Sequence, residues 1–111
     1  MTWGRYEWFE PLRGALADRF ATEGRDGAHD LAHALRVAKR AEALAEAEHA
    51  DLTTCVAAAL LHDLVYRPKN HPESALTAAM AAEEAPAWCT PHLELSLRSS
   101  AIAAAIRTHS F

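Results

Sequence analysis

The sequence predicts an all-α domain, and two features of its composition carry that prediction. Half of the 111 residues are hydrophobic, and among them 26 Ala and 13 Leu far outnumber 3 Val and 2 Ile. Strands draw on β-branched residues, whereas Ala and Leu are the better helix formers. The chain is long enough for one hydrophobic core, so we expect residues 1–111 to form a single domain, a bundle of about five helices.

The first two helices follow from hydrophobic spacing. Between about Tyr6 and Thr22 apolar residues recur at helical spacing, and Pro11 falls in the first turn, so we expect an amphipathic lid on the core. The GRDG segment interrupts this pattern, and a second helix is predicted from about Ala28 to His49. Its residues expected to face inward are Leu31, Leu35, Val37, Ala41 and Leu44.

The third helix is expected to be the buried one. Asp51 or Thr53 provides a cap, and the segment CVAAALLHDL that follows is apolar on nearly every side. A helix without a polar face is covered by neighbours on all sides, which predicts a central position in the bundle.

Two more helices complete the predicted bundle. The polar segment Tyr66–Ser74 is the one sizeable loop, and Pro72 is well placed to start a fourth helix that runs to about Glu84. Thr90 and Pro91 are typical of an N-cap and a first helical position, which predicts a fifth helix from about His92 to His109.

Charge, N-terminal composition and cysteine content exclude several classes of protein. Lys and Arg total 11 against 15 Asp and Glu. Binding of duplex nucleic acid needs a basic surface, and this charge balance does not provide one. A local basic pocket remains compatible with the same balance. The N-terminus carries charges and aromatic rings, and no apolar run approaches about 18 residues. Cys55 and Cys89 lack CxxC spacing and are typical of buried free thiols. We expect a cytoplasmic protein that binds neither duplex nucleic acid nor a membrane.

Two histidine positions have the pattern of a metal site. His33 shares a helix face with Val37 and Leu44, so it is expected to point inward. His62 and Asp63 end the most apolar helix, where an ionised carboxylate is costly without a compensating positive charge. A divalent cation would supply that charge, and imidazole with carboxylate suits Mn²⁺, Fe²⁺, Co²⁺, Ni²⁺ or Zn²⁺, with Mg²⁺ also possible. A buried His-Asp hydrogen bond without metal is the alternative.

The run from His29 to Leu64 resembles the metal-dependent phosphohydrolases of the HD-domain superfamily. The doublet His62-Asp63 matches the one that names the superfamily, and His33, Arg36 and Val37 match its upstream HxxRV-like helix motif. The later segments RPKNHPES and AIRTHSF look like bacterial HD hydrolases of unassigned or nucleotide-pyrophosphatase type. The resemblance implies a phosphohydrolase acting on a nucleotide or another small phosphate ester, with His33, His62 and Asp63 holding the ion.

One feature of the family pattern is missing from this chain. Family members close the metal site with a distal aspartate in a DADRLDA-like stretch, and no such stretch follows Asp63. Two alternatives follow: the sequence is a fragment or split member of the family, or another residue or another chain completes the site. The best substitute ligand within the sequence is His109, because some binuclear relatives take extra histidine ligands from this region.

The resemblance also suggests roles around the ion. Asp63 is a candidate proton acceptor, and Arg36 or Lys69 would neutralise charge on the phosphoryl group. An ion pair of Arg36 with Asp30 or Asp63 is the structural alternative for that side chain. The residues expected to contact the substrate are His29, Arg67 and His71.

A non-catalytic domain is the rival interpretation. A truncated fold of this kind would keep the doublet for structure and leave the apolar fifth helix uncovered, with Ile102, Ile106 and Phe111 on its surface. Such a chain is expected to bind a partner or to form a homodimer.

Overall fold

A computed structural model describes residues 3–24, 27–65 and 76–108. All regular secondary structure in these ranges is helical, which confirms the all-α prediction. None of the described helices is both long and apolar enough to cross a bilayer. The helices are α1 (Phe9–Thr22), α2 (Gly27–Glu48), α3 (Leu52–Leu61), α4 (Thr77–Cys89), α5 (Leu93–Ser96) and α6 (Ser99–Thr108).

Helix α3 lies at the centre of the bundle, as its apolar sequence predicts. All six residues from Val56 to Leu61 are buried, because α2 packs on one side of the helix and α6 on another. Its N-cap is Asp51, whose carboxylate accepts a hydrogen bond from the Thr54 backbone N–H at 3.2 Å. Of the two predicted capping residues, the structure therefore selects Asp51 over Thr53.

Helix α1 closes the core against α2. Its inward face is fully buried, and Pro11 falls in the first turn, as predicted. The preceding segment is anchored as well, since the Tyr6 hydroxyl donates to Glu42 Oε2 at 2.6 Å. Burial raises the pKa of Tyr6, and the bond to Glu42 raises it further, so the hydroxyl remains a donor. The buried residues of α1 are Phe9, Leu12, Leu16 and Phe20.

A charged bridge links α1 to α4. The Arg19 guanidinium donates to both carboxylate oxygens of Glu84, and the Trp88 indole N–H also donates to this carboxylate at 2.9 Å. The Arg19 hydrogen bonds lower the pKa of Glu84, and the Trp88 bond adds to this effect, while partial burial opposes it. The side chains of Arg19 and Glu84 are 27% and 32% exposed, so solvent screens only part of the attraction between their charges.

We expect Glu84→Gln to reduce the free energy of unfolding by about 1 kcal/mol at pH 7. A carboxyl group with a lowered folded-state pKa stabilises the fold above its ordinary pKa near 4.5, and this contribution is lost as the pH falls through the folded-state value. Urea titrations at pH 7 and pH 3 should therefore show a difference between the variant and the parent that shrinks in acid. Glu10→Gln is the control, because Glu10 pairs with Arg13 at an exposed position and its loss should cost less than about 0.5 kcal/mol. A difference between Glu84→Gln and the parent that persists unchanged at pH 3 would contradict the assignment.

The predicted end of the fourth helix and the predicted capping residues of the fifth were wrong, whereas the fifth helix begins within one residue of the predicted His92. Helix α4 continues to Cys89 rather than ending near Glu84, and Thr90 follows it as the C-cap, its hydroxyl donating to the Pro86 carbonyl at 3.0 Å. His92 is the N-cap residue of α5, without a side-chain cap bond. The predicted start at Pro72 lies outside the described residues.

The predicted fifth helix is divided into α5 and α6. At the division, Arg98 leaves the helical pattern and donates to Asp51 Oδ2 at 2.8 Å, which ties this point to the start of α3. Serines at positions 99 and 100 favour a helix start over a helix interior, because their hydroxyls compete for backbone hydrogen bonds. The bond from Arg98 to Asp51 and the serines that favour a helix start thus lie at the same point of the chain.

The observed burial of several side chains differs from what the sequence predicted. Leu44 is 57% exposed instead of facing inward. Ile102 and Ile106 are fully buried against the core, so the uncovered apolar helix of the rival interpretation is not present in the described residues. Cys89 is a buried free thiol as expected, whereas Cys55 is only partly buried.

Candidate metal centre

Three side chains converge where α2 passes the end of α3. His33 lies in the second turn of α2, His62 is the C-cap of α3, and Asp63 occupies the turn that follows. Packing of α2 against α3 brings these positions together, although His33 and His62 are 29 residues apart in the chain. The rings of His33 and His62 have their centroids 5.7 Å apart.

The distances in this cluster suit a shared cation. One carboxylate oxygen of Asp63 lies 3.5 Å from His62 Nε2, and the other lies 3.8 Å from His33 Nε2. One potential ligand atom from each residue can be chosen so that all three lie within 4.8 Å of one another. Ligands at about 2.1 Å from a common ion are about 3.0–3.5 Å apart, so only small side-chain movements separate the cluster from a coordination site. Within the described ranges, no fourth His, Cys, Asp or Glu joins the three.

A backbone contact sets the tautomer of His62. Its Nδ1 lies 2.5 Å from the Ala59 carbonyl oxygen, and because a carbonyl only accepts, Nδ1 carries the hydrogen and donates it. In the neutral ring, Nε2 then presents its lone pair toward Asp63. Histidines that bind metals are typically held in this way, with one ring nitrogen donating to a carbonyl and the other coordinating the ion. The donor set therefore fits a divalent cation.

The same distances weigh against the alternative of a metal-free His-Asp hydrogen bond. The 3.5 Å separation of His62 Nε2 and Asp63 Oδ1 exceeds the usual N–H···O range of about 2.7–3.2 Å. With the Nδ1 hydrogen committed to Ala59, a neutral His62 would direct a lone pair at a carboxylate. Imidazole nitrogen and carboxylate oxygen at these distances are donors that a divalent cation accepts.

The cluster is more open than the sequence predicted. The Asp63 side chain is 40% exposed and that of His33 is 44% exposed, while His62 is 12% exposed. The carboxylate was expected to be buried at a large cost in free energy, but its partial exposure leaves it in contact with water. His33 likewise does not point into the core. This opening provides a route by which a solute reaches all three side chains.

The other candidate residues are divided between the surface and undescribed segments. Arg36 is exposed on α2 and forms no ion pair with Asp30, Asp63 or any other described residue, so the predicted structural pair is absent there. His29 is exposed one turn before His33 and does not belong to the cluster. Four candidates lie outside the described residues: Arg67, Lys69, His71 and His109.

Sequence reasoning missed one contributor to this site, a backbone carbonyl that bonds His62. The Ala59 carbonyl has no side-chain signal, because any residue at that position would offer it.

Comparison with known proteins adds one match. The family model described as HD domain matches residues 30–111, a span that contains His33, His62 and Asp63 and more than half of the chain. No curated protein and no solved structure gives a significant match.

Proposed function

Because the chain belongs to the HD domain family of metal-dependent phosphohydrolases, we propose that it hydrolyses a nucleotide or another small phosphate ester with the help of a bound divalent cation. The observation that carries this proposal is the convergence of His33, His62 and Asp63 inside the matched span. The tautomer of His62 supports it further, since the nitrogen facing the cluster is the one with the lone pair.

The ligands in this proposal are the two Nε2 atoms of the histidines and the Asp63 carboxylate. Two imidazoles with one carboxylate favour Mn²⁺, Fe²⁺, Co²⁺, Ni²⁺ or Zn²⁺ over Mg²⁺, which prefers all-oxygen sites. When bound, such an ion supplies Lewis-acid chemistry to phosphate-ester hydrolysis. His109 is proposed as an additional ligand, in keeping with the family resemblance.

The chain's own groups have proposed roles around the phosphate. Asp63 is proposed to accept a proton from an attacking water, and its solvent exposure and its closeness to both histidines support this role. Arg36, exposed and without a carboxylate partner in the described chain, is available to hold a phosphate oxygen. Lys69 is proposed for the same role. The proposed substrate contacts are His29, Arg67 and His71.

Metal content is the first test of this function. We expect about one transition metal ion per chain by plasma mass spectrometry on protein purified without an affinity tag, or after incubation with Mn²⁺. His33→Ala should lose this metal, because it removes one of three clustered donors. A screen of phosphatase and pyrophosphatase substrates should follow with the loaded protein.

A matched control distinguishes specific binding from metal bound by surface histidines. His92 precedes α5 and its side chain makes no cap bond, so His92→Ala removes an imidazole without touching the cluster. Equal metal content in His33→Ala, His92→Ala and the parent would rule out the proposed site.

A further inference from the structure

An apolar groove runs along α2, α3 and α6. It has a volume of about 350 Å³, within the usual range for small-molecule sites of about 300–1,000 Å³. The surface that forms it comes mainly from aliphatic side chains and one thiol. Its main lining residues are Val37, Ala41, Leu44, Cys55, Ala58 and Ala105.

The groove begins one helical turn from the candidate metal centre. Val37 follows His33 by four residues on α2, and Ala58 precedes His62 by four residues on α3. Residues four apart on a helix are neighbours, with Cβ atoms about 5–6 Å from each other. A molecule whose phosphate lies at His33 and His62 therefore reaches the groove with the next few atoms of its skeleton.

The groove offers few fixed hydrogen-bonding groups. Its polar side chains are Arg40, Glu48 and Cys55, and the first two are exposed, so their charged ends remain in water. Burial raises the pKa of the Cys55 thiol, and the nearby carboxylates of Asp51 and Glu48 raise it further, so it remains a neutral thiol. A sugar or a base buried here would leave its polar groups unpaired, which is unfavourable.

We propose that the substrate is a phosphate monoester of an apolar alcohol, whose aliphatic or aryl part occupies this groove. The proposal rests on the function proposed above and narrows its substrate class away from nucleotides. In the reaction a water oxygen forms a bond to phosphorus, the bond between phosphorus and the ester oxygen breaks, and the alcohol leaves with a proton as inorganic phosphate is released. The groove holds the apolar part of the alcohol, because burying it removes apolar surface from water.

Binding of alkylphosphonates tests the groove without requiring turnover. Isothermal titration calorimetry with ethyl-, butyl- and hexylphosphonate should show affinity rising about fourfold for each added methylene, in metal-free and in metal-loaded protein. Affinities that do not change with chain length would overturn the proposal.

Two leucine variants locate the binding. Leu44 lines the groove and is 57% exposed, so Leu44→Glu introduces a carboxylate there without disturbing the core. It should weaken hexylphosphonate binding at least about tenfold and leave ethylphosphonate binding unchanged. Leu97→Glu is the control, because Leu97 is 76% exposed and does not line the groove. Equal losses in both variants would show that the apolar group binds elsewhere.

Hydrolysis assays then separate the two proposals. With metal-loaded protein, kcat/KM for hexyl phosphate should exceed that for adenosine monophosphate at least about tenfold. Hydrolysis with the opposite preference would overturn the substrate class and uphold the phosphohydrolase function. Chain-length-dependent binding without hydrolysis of any ester would uphold the groove as an apolar-ligand site and overturn the function.

Discussion

Replacing His62 by alanine is expected to abolish metal binding and phosphate-ester hydrolysis together. His62 is the least exposed member of the cluster, and its Nε2 is the donor whose lone pair is fixed toward Asp63 by the bond from Nδ1 to Ala59. Loss of the ion removes several kcal/mol of transition-state stabilisation, so kcat/KM should fall at least about a thousandfold. Metal analysis and a phosphatase assay on the same preparation measure both effects.

Two further measurements make the His62 result specific. Circular dichroism should show unchanged helix content, because His62 caps α3 through backbone geometry and lies at the edge of the core. His92→Ala should retain full metal content and activity. A His62→Ala protein that stays folded, keeps its metal and is fully active would contradict the proposed function. Loss of metal with retained activity would show that the ion takes no part in the reaction.

Truncating Phe20 to alanine is expected to reduce the free energy of unfolding by about 3–5 kcal/mol. Phe20 is fully buried in α1, a helix that precedes the span of the family match. Its removal leaves a large cavity between α1 and the rest of the core, and the cost is a substantial part of the total stability of a domain, about 5–15 kcal/mol. Urea unfolding followed by tryptophan fluorescence gives the change directly.

The same experiment tests whether residues 1–111 form one domain. Trp3 and Trp8 lie beside α1, and Trp88 lies in α4, so a single cooperative domain should give coincident transitions by fluorescence and circular dichroism. Leu93→Ala is the control, because Leu93 is 75% exposed and its truncation should change stability by less than about 0.5 kcal/mol. A change of that small size for Phe20→Ala would mean that α1 is not part of the cooperative core.

Several features of the fold could be predicted because they depend on neighbours in the chain. The spacing of apolar residues located α1, α2 and α3, and the run of apolar residues in α3 predicted its central position. The cap of α3 was narrowed to Asp51 or Thr53, because a short acceptor before a run of backbone donors is a local arrangement, and the structure has Asp51. The His62-Asp63 doublet and His33 were recognised from the sequence as residues of one site, and the structure brings them together.

Other features depend on which surfaces meet, and no local pattern encodes that. Leu44 has the spacing of a core residue, yet no helix in the described chain covers it, so it borders a groove instead. The last predicted helix is divided at Arg98, and the side-chain partner of Arg98 at that point is Asp51, at the distant start of α3.

The sequence by itself determined that this protein is helical, which helix is central, and which three side chains are candidates to hold a cation. The first two properties follow from helix propensity and from the 3.6-residue period. The third rests on the chemistry of imidazole and carboxylate and on the resemblance of the sequence to the HD-domain superfamily. Only the tertiary structure decided that Asp63 is open to water, that Ala59 sets the tautomer of His62, and that an apolar groove lies between α2, α3 and α6. Exposure and hydrogen-bond partners arise from the packing of segments far apart in the chain, and that packing is a property of the whole core.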